Sequence, residues 1–416
     1  MLLNPDKALE LVLEDISTIG KETVSIFEAL GRVIAEKTYS KRDIPQRDSS
    51  AMDGYAVQHA DLGSLPAKLK VKGVIAAGDN NPYSIGKGEC YRLMTGSFVP
   101  QGADTVVEHE LTDNGRETVQ INEARSATAR KINFGANIRP AQSDIAKGTL
   151  VDYMGERMTP YMMSRFVSVG ALYLQVYRKP RVAVISTGSE IVSPCDYDDT
   201  ERMLDANAPA IIGMLQEAGA ECSYMGVVPD EEAPLLDMLL SMCNFDMVVV
   251  SGGISTGDFD YMASISARAG ISWKFHKVNQ KPGKPIAFGY IDFANHNKSV
   301  PIFGLPGNPV SCMFCAYYYV IPAAKKMQGE DYAHKPLSAV LGEAVQKKAG
   351  RIQFDRVKLE VKDGVIHTFP FKSQDSNLID SMTQCHAFMR LNDEQTGELP
   401  VGTPVQIYVF NHRKLF

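Results

Sequence analysis

From Pro180 to about residue 329, short apolar runs alternate with helical stretches, and this rhythm constrains the fold more than any other feature of the chain. RVAVIS (181–186) leads to a helical stretch at 208–217, CSYMGVV (222–228) to another at 235–242, and DMVVVS (246–251) to a third near 261–268. PIAFGYI (285–291) and PIFGL (301–305) follow, and a long helix begins after Pro309. Strands alternating with helices in this way predict a mostly parallel, doubly wound α/β sheet.

Right-handed crossovers gather the loops at the carboxyl ends of such strands on one edge, where ligands usually bind. STGSE (186–190), SGGISTGDFD (251–260) and LPGNPVS (305–311) are therefore expected to meet. Gly252 and Gly253 let backbone amides approach a phosphate closely, and the helix after them turns its positive end toward it. Asp258 and Asp260 are hard oxygen ligands suited to a Mg²⁺ ion that shares its shell with phosphate oxygens, and Glu190 and Asp230 lie where they can face the same ion. The plainer alternative, an ordinary Gly-Gly turn with aspartates capping a helix, stays open for that loop taken alone.

KPGKP (281–285) presents Lys281 and Lys284 on a backbone stiffened by prolines, an arrangement suited to an anion, and Lys274 is a candidate third charge. A solvated turn between strands is the alternative. Cys312 and Cys315 form a CxxC, but they sit in an apolar run without a second Cys or His pair and read as buried structural residues.

Outside this region the text is different. Asn4 and Pro5 look like a helix cap and first turn, with Leu9, Val12, Leu13 and Ile16 on one face. Residues 46–144 carry β-like runs such as 68–76 and 104–108, broken by glycine and proline, and read as a β-rich middle domain. The α/β domain is expected at 180–329. A small β domain is expected at 330–416, where Asp363-Gly364 between FDRVKLEV and VIHTFPF favours a tight hairpin.

Apolar residues at 44% and charged residues at 22% describe a globular chain, and a net charge of −6 with no basic patch argues against nucleic acid as a partner. The apolar stretch 310–324 is too short for a membrane span, the first residues lack an export signal, and seven cysteines do not resemble a disulfide framework. The expectation is a cytoplasmic protein.

SAMDGYA (50–56), MTGSFVPQGADTVVEHE (94–110), STGSE, SGGISTGDFD, KPGKP and LPGNPVS, in this order, closely resemble the MoeA-type molybdopterin molybdenumtransferases, which share their architecture with the E domain of gephyrin. The resemblance runs nearly end to end. It implies an elongated homodimer of four parts: a discontinuous helical domain (1–45 with 145–179), the β-rich middle domain, a molybdopterin-binding α/β domain and a C-terminal β-barrel. It also implies a site between the α/β domain and other domains, with Asp53 and Thr95 acting across the dimer.

By the same resemblance Glu190, Asp230 and Asp260 act in catalysis and hold Mg²⁺. Gly252, Gly253, Ser255, Asp258, Lys274, Lys281, Lys284 and Asn308 contact substrate, and Ser311, Arg351 in GRIQF and Ser376 in SQDSN serve an oxyanion region. Two departures are local: Asp375-Ser376 stands where the family more often has adjacent serines, and Phe98 replaces a usual proline.

The implied activity is insertion of molybdenum from molybdate into adenylylated molybdopterin, with AMP released. Other cofactor-assembly proteins and molybdoenzyme acceptors are the implied partners. A non-catalytic molybdopterin carrier or gephyrin-like scaffold is the rival, but a scaffold that had lost activity is expected to lose the carboxylates and lysines first. Adenylyl transfer, the preceding step, is a second rival, weakened by KPGKP and the extra domains.

Overall fold

The computed structural model describes residues 2–122, 131–196, 202–253 and 265–410. Its centre is a six-stranded sheet built from the alternating region. The strands Glu221–Val228, Arg181–Thr187, Met247–Ser251 and Lys298–Leu305 lie side by side and parallel, and Ala287–Phe293 then runs antiparallel before the edge strand Ile271–His276. Val182, Val184 and Val249 face one core while Ala183, Ile185 and Val250 face the other, so the sheet is covered on both sides. The mostly parallel, doubly wound expectation holds, with one antiparallel strand near its edge.

The helix after Pro309 is interrupted. Pro309–Cys315 is α-helical, Ala316–Val320 takes the wider π form, and Ile321–Met327 is α-helical again. Pro322 has no N–H to offer the carbonyl four residues back. That carbonyl, Tyr318, is met by the His334 ring Nε2 at 3.0 Å, and the His334 and Tyr318 rings stack at 4.7 Å. A sequence-imposed gap in the helix ladder thus becomes a joint to the C-terminal region. Cys312 and Cys315 are buried here and all seven cysteines are free, as the structural reading of the CxxC requires.

The C-terminal strands close on themselves. Ile352–Lys362, Val365–Pro370, Leu337–Leu341, Pro404–Val409 and Ala387–Leu391 pair in sequence, and the last returns to the first, giving a five-stranded barrel. Closure leaves no free edge. Asp363 and Gly364 both have positive φ, as a two-residue type I′ hairpin needs.

In the middle region Thr105–Glu108, Gly54–Val57, Glu89–Leu93, Ala67–Ile75 and Thr118–Ile121 form a five-stranded sheet. At the N-terminus Asn4 accepts from the Asp6 N–H at 2.8 Å and Pro5 opens the helix Pro5–Asp15. That helix buries Ala8 and Val12 against the α/β core. Among the described residues no helix is long and apolar enough to cross a membrane.

Candidate functional site

The ends of three strands and the starts of two helices make a cleft of about 870 Å³ at the carboxyl edge of the parallel strands. Its floor is backbone. Gly252 has φ +92°, and a Cβ there would stand 2.4 Å from the Thr187 carbonyl oxygen; at Gly253 it would stand 2.4 Å from the Thr187 hydroxyl. Only glycine lets these two loops pass so closely. Gly307, from the third loop, would place a Cβ 3.7 Å from the Gly252 Cα. The loops predicted to meet do meet, over their described residues.

Asn207 fixes that meeting. Its amide donates to the Ser251 hydroxyl at 2.9 Å and to the Gly307 carbonyl at 2.8 Å. Asp205 accepts from the Asn207 and Ala208 N–H groups at 3.1 and 3.2 Å, which serves the start of the helix Asn207–Glu217, and from the Tyr224 hydroxyl at 3.0 Å. The buried Asn207 Oδ1 has no hydrogen-bond partner among the described residues. Neither Asp205 nor Asn207 was singled out from the sequence, although Asp-Ala-Asn before a helical run is a capping signal.

Glu190 and Asp230 both line the cleft, with Gly252, Gly253, Asn308 and Ser311. Loss of solvent first, and the Glu190 carboxylate second, push the Asp230 carboxyl above its ordinary value; the Ser189 backbone and the Thr187 hydroxyl act the other way. No cation acts on Asp230 among the described residues. Two carboxylates facing one space with their charge unbalanced suit a hard cation such as Mg²⁺. Among the described residues no three His, Cys, Asp or Glu side chains gather into a metal site. Ser255, Asp258 and Asp260 lie outside the described residues.

A second cavity, of about 660 Å³, opens at the mouth of the barrel, lined by Lys281, Arg351, Gln353 and Asp355 among others. The short strand Gln280–Lys281 pairs in parallel with Ile352–Lys362, placing Lys281 opposite Gln353 and tying the KPGKP segment to the barrel. Gln280, fully buried, donates to the Gly283 carbonyl at 3.2 Å and accepts from the Tyr319 hydroxyl, which anchors the turn from below.

The remaining candidates are dispersed. Lys274 pairs with Asp15 at 2.8 Å, and Lys284 has its carbonyl taken by the Val278 N–H at 2.8 Å; neither lines a described cavity. The Ser376 carbonyl accepts from the Val310 N–H at 2.9 Å, and its neighbour Asn377 lines the first cleft. Asp53 lies just before the middle-sheet strand Gly54–Val57, its Oδ1 accepting from the Thr95 N–H at 2.7 Å and the Thr95 hydroxyl at 2.8 Å. Those two bonds hold its carboxyl below the ordinary range. Asp53 and Thr95 line neither cavity. Phe98, the departure in that loop, lies under the Arg47 guanidinium at 4.3 Å.

Three family models match the chain in order: the MoeA N-terminal region (domain I and II) over residues 3–170, a probable molybdopterin binding domain over 183–326, and the MoeA C-terminal region (domain IV) over 338–410. The molybdopterin molybdenumtransferase of Haemophilus influenzae is 31% identical over 99% of both chains. Gephyrin of Dictyostelium discoideum is 30% identical over 96% of this chain and 61% of its own length. The solved molybdopterin biosynthesis MoeA protein of Pyrococcus horikosii superposes with a TM-score of 0.82 at 31% identity, covering 98% of this chain and 99% of that one.

Proposed function

The chain belongs to the molybdopterin molybdenumtransferases, and we propose that it inserts molybdenum from molybdate into adenylylated molybdopterin with release of AMP, the last step of molybdenum cofactor assembly. The observation that carries this reading is the presence of two complementary chemistries: a carboxylate cleft on a glycine floor, and a cavity lined by Lys281 and Arg351. The first suits a phosphoanhydride with its cation, the second an oxyanion.

In this reading the backbone at Gly252 and Gly253 receives the phosphates, because no side chain intervenes there. Asn207 keeps the Gly252 and Gly307 loops at a fixed separation, so their geometry needs no reorganisation when the substrate arrives. Glu190 and Asp230, with Asp260, would hold Mg²⁺. When bound, that ion supplies neutralisation of phosphate charge and polarisation of the phosphorus–oxygen bond that is cleaved. Lys281 and Arg351 retain molybdate, helped by Ser311 and Ser376. No protein thiolate is required, since the sulfur ligands of molybdenum come from the substrate.

The reading includes a cytoplasmic homodimer with the four-part division 1–45 with 145–179, 46–144, 180–329 and 330–416. Free cysteines throughout support a reducing compartment. Phe27 and Tyr161, each 88% exposed, and Tyr173, 70% exposed, support an apolar surface that a second copy covers. Asp53 and Thr95, bonded to each other and lining neither cavity, then serve the partner's site.

The test is AMP release from adenylylated molybdopterin with molybdate and Mg²⁺ present, by the wild type and by Glu190→Gln. Release by the wild type and none by the folded variant is expected; equal release would remove the carboxylate cleft from the chemistry.

A further inference from the structure

Asp355 does not fit a simple anion cavity. It is 6% exposed, lines the same cavity as Lys281 and Arg351, and its side chain has no hydrogen-bond or ion-pair partner among the described residues. Gln353, two residues earlier on the same face of the strand, has a buried Oε1 that is also without a partner. The Asp355 oxygens open onto the cavity and the Gln353 Oε1 is sealed beneath it, so a ligand in the cavity can meet the carboxyl directly.

The charges around it are mixed. Lys281 comes from the paired short strand, Lys347 from the strand Val345–Lys347 that pairs with Gly397–Leu399, and Arg356 from its own strand; all three act to lower the Asp355 carboxyl. Glu343, Lys348, Arg351 and Lys372 complete the charged lining, and Asp393 and Glu394 act on Lys347. Burial outweighs the cations and pushes Asp355 up to about 6.

A carboxylate and an oxyanion oxygen repel unless a proton lies between them. We propose that Asp355 is a proton-sharing residue of the oxyanion cavity, so that a tetrahedral dianion enters together with one proton, held between the Asp355 carboxyl and an anion oxygen while Lys281 and Arg351 meet the others. This rests on the reading of that cavity as the oxyanion site. No bond other than this proton's changes, and charge balances: dianion plus proton arrives as a net monoanion. The site then favours oxyanions basic enough to share a proton, molybdate and tungstate, over sulfate, which has the same shape and charge but is far less basic.

The experiment is calorimetric titration of the full chain with molybdate, in two buffers of different ionisation enthalpy, which counts protons taken up on binding. The wild type is expected to take up roughly one proton per anion at pH 8 and roughly half at pH 6, because the free group is then already part-protonated. Asp355→Asn, which imitates the neutral acid, is expected to bind with no uptake at either pH. Its preference for molybdate over sulfate falls by roughly tenfold or more, the worth of one charge-assisted bond. Asp355→Ser supplies the same comparison if the asparagine variant does not fold. Binding weakened by Arg351→Ala but with no proton uptake in the wild type overturns the role of Asp355 alone. Binding indifferent to Arg351→Ala and Lys281→Ala overturns the oxyanion reading, and the proposal with it.

Discussion

The Asn207 amide reaches the Ser251 hydroxyl at 2.9 Å, and the same nitrogen reaches the Gly307 carbonyl at 2.8 Å. One side chain at a helix start therefore sets the distance between two strand-end loops that form the floor of the cleft. Replacing Asn207 by Ala leaves the Gly307 carbonyl and Ser251 hydroxyl to find other partners, a loss of about 1–3 kcal/mol of stability. Activity is expected to fall further than stability, since the cleft widens where the proposed function places the phosphates. Denaturant unfolding and AMP release on the same preparation check this.

Glycine at 252 is required by contact as well as by conformation. At Gly78, φ is +84° but a Cβ would meet nothing within 4 Å, whereas at Gly252 it meets backbone at 2.4 Å. Gly78→Ala measures the strain of positive φ alone, about 1–2 kcal/mol. Gly252→Ala is expected to cost more than this and to abolish turnover; equal losses at the two positions would mean that the loops do not approach as described.

If Asp230 holds a cation as proposed, its charge is kept at a cost in stability. Its carboxyl is raised, by burial and then by Glu190. A carboxyl raised on folding favours the folded state fully below its unfolded value, near 3.9, and this benefit is lost as pH rises through the higher folded value. At neutral pH its charge therefore works against the fold in the absence of a cation. Asp230→Asn is expected to raise the Tm of the metal-free protein and to reduce the further rise that Mg²⁺ gives the wild type. The wild type's rise itself should fade on acidification from a higher pH than an ordinary carboxylate would require. Thermal melts across pH with and without Mg²⁺ measure all three.

Asp53 and Thr95 give a test of assembly. If they act across a dimer, Asp53→Asn and Asp230→Asn each inactivate alone, but mixed subunits restore one intact site in each heterodimer. Random exchange predicts recovery of roughly a quarter of the wild-type rate. No recovery after verified subunit exchange would place Asp53 in the service of its own chain.

Much of the fold was legible because its signals are local. Asn4-Pro5 set the first helix, Asp363-Gly364 set the hairpin, and alternating strands and helices set the parallel sheet. Closure of the barrel was not visible locally, since it depends on Ala387–Leu391 returning to Ile352–Lys362. The π segment at Ala316–Val320 was also hidden, although Pro322 signalled that the helix could not be regular.

The site divides in the same way. Glycine-rich loops announce themselves, and Glu190, Asp230, Gly252, Gly253, Asn308 and Ser311 do share a cleft. Lys274 and Lys284 were grouped with Lys281 by charge and by the motif, but the cavity at the barrel takes Lys281 and Arg351 without them. Asp355 was missed because one aspartate in QFDRVKLEV reads as the polar half of an alternating strand. Only its burial next to Lys281 sets it apart.

The central claim is tested most directly with purified protein, adenylylated molybdopterin, Mg²⁺ and molybdate, following AMP release and recovery of a molybdenum-dependent apoenzyme together. The account predicts that both products appear and that both require molybdate. Tight binding of the pterin with neither product would contradict it and leave a carrier or scaffold.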